Sequence, residues 1–125
     1  MAGTKLDGAG TQKMKTIEEA LSTIQHIHGI VERMAQDVKN NRGVGISPGQ
    51  IKRVATTLQG SLKGQFGMIA DQVSGMIIAL GRGGGEQGKV RVSREAIAQI
   101  RQALEIAANK VKQQHSVDIA TSDDA

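Results

Sequence analysis

The chain has 125 residues, with 16 Lys and Arg against 12 Asp and Glu, no cysteine and a single aromatic residue, Phe66. Lack of cysteine removes disulfides, thiolate nucleophiles and Cys-based metal sites. The 38% of hydrophobic residues must build a core from Ile, Val, Leu, Met and Ala, which suits one helical domain.

Residues 1–13, MAGTKLDGAGTQK, carry no periodicity and are expected to form a flexible arm. A first helix over about 16–41 is predicted from Thr16 and Glu19, whose T-x-x-E spacing lets hydroxyl and carboxylate each satisfy an orphan backbone donor. Its apolar stripe is Ile17, Leu21, Ile24, His28, Val31, Ala35 and Val38, widened by Ile27, Ile30 and Met34. Asn40, Asn41 and Gly43 then tolerate the left-handed backbone common after a helix end.

The second start is the clearest local signal: Ser47 as cap, Pro48 at the first helical position and Gln50 three residues after the cap. One long helix over about 48–81 follows from the stripe Ile51, Ala55, Leu58, Leu62, Phe66, Ile69, Val73, Met76 and Leu80. Gly60, Gly64, Gly67 and Gly75 interrupt it, each at up to ~1 kcal/mol relative to Ala. Two explanations stay open. A second chain approaches the bare strip closely, which is preferred because small residues at spacing four suit tightly crossing helices, or the helix hinges near Gly64 to Gly67.

The segment Gly81 to Arg91 reads as an exposed glycine-rich connection. A third helix over about 93–115 is predicted to start near Ser93, with Ile97, Ile100, Leu104, Ala107 and Val111 as its stripe. Residues 117–125 read as a flexible acidic tail. The expected fold is therefore all-α: an antiparallel bundle of three main helices within one domain, 14–116, which a second copy completes as a four-helix or larger bundle. No apolar leader follows Met1 and the longest apolar run, Met76 to Leu80, is too short to cross a bilayer, so a cytoplasmic address without membrane contact is expected.

Candidate chemistry is sparse. Gly83 to Lys89 has the G-x-x-x-x-G-K spacing of a phosphate loop, but Val90 stands where a hydroxyl should hold magnesium, and no parallel sheet is foreseen. His26 and His28 lie about 200° apart around a helix, so they cannot share one metal. His28 falls on the apolar stripe, and His26 points outward beside Ser22 and Arg33. No His–carboxylate pair is placed by spacing to activate a Ser or Thr. Catalytic, cofactor and metal residues are accordingly assigned to none, and no enzyme or cofactor is expected. The net charge of +4 biases encounters toward acidic surfaces. Among the cations Lys52, Arg53, Lys63, Arg82, Lys89, Arg91, Arg94 and Arg101, those from Arg82 onward form a possible phosphate-facing patch, without Tyr or Trp for bases to stack on.

Within the second helix, Ala55, Thr57, Leu58, Gly60 and Ser61, followed by Phe66-Gly67, resemble the signature of histidine-phosphotransfer domains, approximately A-H-T-L-K-G-S and then an F-G or L-G pair. The resemblance covers residues 53–67. Thr56 stands where the phosphorylated histidine belongs, Gln59 replaces the lysine, and Phe66-Gly67 sits a residue late. It implies a four-helix bundle that has lost phosphotransfer and kept docking of receiver or kinase domains.

The leading expectation is a non-enzymatic helical adaptor or assembly protein, forming a homodimer and meeting an unknown protein partner through Thr56, Gln59, Gly60, Lys63, Gly64 and Gly67. The alternatives are a degenerate phosphotransfer-like signalling protein and a weak backbone-directed nucleic-acid binder.

Overall fold

The computed structural model describes residues 4–82 and 85–118. The all-helical class holds, with four helices among the described residues where three were expected. They are α1 (Gly8–Lys39), α2 (Ser47–Leu62), α3 (Gly67–Gly81) and α4 (Glu86–His115). Two three-residue strands, β1 (Thr4–Leu6) and β2 (Ser116–Asp118), pair antiparallel with Lys5 opposite Val117.

Packing runs round a closed ring, α1 on α2, α2 on α3, α3 on α4 and α4 on α1, so the chain closes a four-helix bundle without a second copy. Cross-links at Glu32–Arg94, Gln25–Arg101 and Asp7–His115 show that α1 and α4 run antiparallel over their whole lengths. At 1.5 Å per residue these two helices are about 48 and 45 Å long, roughly twice the length of α2 or α3.

The expected 48–81 rod is broken. Residues 63–65 form a turn, and Phe66 (φ −134°, ψ 60°) leads into α3. Gly64 and Gly67 weaken the helix there, and reversing the chain lets Ile69, Val73, Met76 and Leu80 close the bundle. The hinge alternative accounts for this stretch. Every stripe residue from Ile51 to Leu80 is still buried, except half-buried Phe66.

The first helix begins at Gly8, not Thr16, so the expected 13-residue arm is folded from residue 4 as far as it is described. Asp7 is the true cap, its Oδ1 accepting from the Gly10 amide at 2.7 Å. Thr16 lies inside the helix, its hydroxyl shared between the Gln12 carbonyl and Gln65 Oε1, 3.2 Å from each. Asn41 (φ 55°) and Gly45 (φ 58°) take the left-handed conformation after α1, while Gly43 does not. Ile46, not Ser47, is the α2 cap residue, with Pro48 in the first turn as expected.

The last helix starts at Glu86, inside the stretch expected to be a connection, after Gly85. Val90 and Ser93 extend the stripe of Ile97, Ile100, Leu104 and Val111 upstream at spacings of three and four. Ser93, expected near a helix start, is instead fully buried, and its Oγ has no hydrogen-bond partner. Gly88 and Lys89 are helical, which rules out a phosphate loop there; Gly83 and Gly84 lie outside the described residues, as do residues 1–3 and 119–125. The tail expected from 117 begins as part of β2. Among the described residues no helix is long and apolar enough to cross a membrane.

Candidate protein-binding surface

Four of the expected contact residues share the outward side of α2 and its end. Thr56 is exposed, its hydroxyl donating to the Lys52 carbonyl at 2.7 Å. Gly60 follows one turn later with nothing within 4 Å of a Cβ built on it. Gln59 is half-buried and Lys63 exposed. Gly64 belongs to the turn, and Gly67 opens α3, both also clear of neighbours. The strip therefore does not continue along one rod: Gly67 is carried round the turn into a different surface.

That surface is a groove of about 450 Å³ where the N-terminal end of α3 meets the C-terminal half of α4. Phe66, Met68, Ile69, Ile106 and Val111 supply its apolar wall. Its origin is geometric. The turn at 63–66 lies level with Thr16, as the Thr16–Gln65 contact shows, so the last two turns of α4 run on beyond the α2–α3 hairpin, where the start of α1 packs against them. Met68 is 85% exposed and Ile106 49%. Among the described residues, Lys13 and Lys110 are the charged ones lining the groove.

Lys13 belongs to a small network that ties the chain ends together. Its Nζ lies 3.2 Å from His115 Nε2, while His115 Nδ1 lies 3.2 Å from Asp7 Oδ2. With Nδ1 protonated, the imidazole donates to Asp7 and accepts from the Lys13 ammonium. The Asp7 amide donates to the His115 carbonyl at 2.9 Å. Gly10 is required here, because a Cβ on it would come within 2.5 Å of the His115 Cβ. The Gly10 amide and His115 hold the Asp7 carboxyl below its ordinary range.

A second link joins α1 and α4 further along. Arg94 Nε and Nη2 donate to the two Glu32 oxygens at 2.8 Å each, and this fork lowers the Glu32 pKa and raises that of Arg94. His28, expected on the buried stripe, is half-buried, and its Nε2 lies 3.8 Å from Glu32. His26 is exposed, in a shallow groove with Ser22, Arg53 and Thr57.

No family model matches the chain, and the comparisons with curated proteins and with solved structures give no match either. What the surface can do must come from its own chemistry.

The basic patch foreseen from Arg82 to Arg101 is partly engaged elsewhere: Arg94 holds Glu32, and Arg101 Nη2 donates to Gln25 Oε1 at 3.2 Å. More informative is α3 itself. Its 15 residues, GMIADQVSGMIIALG, include one charged side chain, Asp71. Met68, Asp71, Gly75 and Ile78 follow one another at spacings of three and four along its outer side. Ile78 is 57% exposed, and nothing lies within 4 Å of a Cβ on Gly75. Sequence reasoning missed Met68, Ile78, Ile106, Lys13 and Lys110. For Met68 and Ile78 the signal was that 67–81 carries a single charge and more apolar residues than one buried side takes up, which in a helix at the surface of a bundle leaves oily groups facing water.

Proposed function

We propose that this chain is a non-enzymatic helical adaptor or assembly protein that forms a homodimer through the outer side of α3, a reading that goes with a cytoplasmic address. One observation carries it. On a bundle whose core is already closed, α3 presents Met68 and Ile78 to solvent with Gly75 bare between them and Asp71 as its lone charge. A two-fold axis crossing near the middle of this line sets the Met68 end of one copy against the Ile78 end of the other. Gly75 lets the two helices approach closely.

Sedimentation velocity over a concentration series tests this. The expected result is a monomer–dimer equilibrium that Ile78→Lys shifts to monomer with unchanged helicity. Gly64→Leu, in the turn and off this line, should leave the equilibrium unaltered. A wild-type chain that stays monomeric throughout overturns the proposal.

A second reading has its own support. Thr56 stands exposed near the middle of α2 in a four-helix bundle, with Gly60 open one turn later, which is the setting the phosphotransfer resemblance implies. On that reading the α2 face docks a receiver or kinase domain without accepting phosphate. Incubation with a phosphorylated receiver domain tests it: binding weakened by Gly60→Leu supports docking, and label transferred to this chain contradicts the loss of phosphotransfer.

A further inference from the structure

The groove between α3 and α4 differs from the outer line of α3 in both shape and charge. Its apolar wall combines the only aromatic side chain of the protein, Phe66, with Met68, Ile69 and Ile106. The α4 side spans Ala103 to Gln114, about 16 Å or three helical turns. A concave, apolar channel of that length matches the stripe of a short amphipathic helix with anchors at i, i+3 or i+4, and i+7. Met68, unbranched and largely exposed, can rearrange around anchors of different shape.

Charge selects among such helices. Lys13 and Lys110 line the groove together with Gln65, Gln72 and Gln114, and among the described residues no carboxylate lines it. The nearby Asp7 carboxylate is taken up by the Gly10 amide and His115. A second copy of this chain presenting the same groove would bring lysines against lysines, so this face does not suit a two-fold contact. We infer that the α3–α4 groove binds an amphipathic helical segment of a partner protein, apolar along one stripe and rich in Asp or Glu beside it. The inference rests on the adaptor reading but not on the dimer. Met68 belongs to both surfaces, whereas Ile78 lies outside the groove and Lys110 and Ile106 lie outside the α3 line, so substitutions at these three positions tell the two readings apart.

The test uses the full chain and two synthetic 14-residue helical peptides with one Leu stripe, flanked by Glu in the first and Lys in the second. Fluorescence anisotropy at low and moderate salt measures binding. The acidic peptide is expected to bind at least about tenfold more tightly, with a preference that weakens as salt rises. Lys110→Glu should abolish the preference, and Ile106→Ser should weaken the acidic peptide about tenfold or more. Both positions are exposed, so circular dichroism should stay unchanged. Ile78→Lys should leave peptide binding unaltered. Equal binding of both peptides, no binding of either, or acidic binding indifferent to Lys110→Glu and Ile106→Ser overturns the inference. So does loss of binding on Ile78→Lys alone, which would put the peptide on the dimer line.

Discussion

The long pair α1–α4 and the short hairpin α2–α3 are built from the same few apolar residue types, yet their polar groups are used differently. Between the long helices, side chains reach across: Arg94 to Glu32, Arg101 to Gln25, His115 to Asp7 and Lys13. In the hairpin, the hydroxyls of Thr56, Thr57 and Ser61 each turn back to the carbonyl four residues earlier, as those of Thr16 and Thr23 do in α1, and among the described residues no side-chain hydrogen bond joins α2 to α3. Among the described glycines Gly10 alone is pressed, against His115; Gly60, Gly64, Gly67 and Gly75 of the hairpin are open, as are Gly8, Gly29 and Gly88 of the long helices. One pair is a frame tied to itself; the other closes the core with its inner side and leaves Met68, Gly75 and Ile78 of its outer side exposed.

The largest expected effect sets a frame core residue against an outward hairpin residue. Leu104→Ala, at a fully buried site, should cost about 2–5 kcal/mol in chemical denaturation, whereas Met68→Ala should change stability by no more than about 0.5 kcal/mol. A large loss at Met68 would break the comparison.

Next comes the contrast between glycines. Gly10→Ala should destabilise by about 1–3 kcal/mol, because the His115 Cβ it meets cannot swing away. Gly60→Ala and Gly75→Ala should each stabilise the isolated chain by up to ~1 kcal/mol, as open helical glycines. Gly75→Ala should at the same time weaken the dimer, which separates folding from contact at one residue. Thermal melts at low protein concentration, paired with sedimentation, read both effects.

The smallest effects concern the ties of the frame. Arg94→Ala removes a solvent-screened fork and should cost no more than about 1 kcal/mol, less in high salt. Asp7 and Glu32 both titrate below their ordinary range in the folded chain. The stability they contribute is therefore present above their unfolded values and lost as pH falls through the folded ones, so Tm should decline on acidification below about pH 4. Asp7→Asn keeps a capping side chain but loses the charge, and its Tm should depend less steeply on pH in that window.

What the sequence by itself determined is which residues face inward. The stripe from Ile51 to Leu80 and that from Ile97 to Val111 follow from spacings of three and four, and Pro48 marked the α2 start. Periodicity reports the side a residue presents, not whether the rod beneath it is continuous. Leu62, Phe66 and Ile69 kept helical spacing across the turn at 63–66, so the reversal left no mark in the pattern, although the glycines hinted at it. Both outer helix starts were misjudged for a related reason. Gly8–Lys15 lacks a strong apolar stripe, and its order comes from Asp7, Gly10 and Lys13 meeting His115 about a hundred residues away. Only the tertiary structure decided that meeting, the closing β1–β2 pair and the groove left where a short hairpin stops before the long helices end. Each depends on relative helix length and position, quantities that local spacing does not carry.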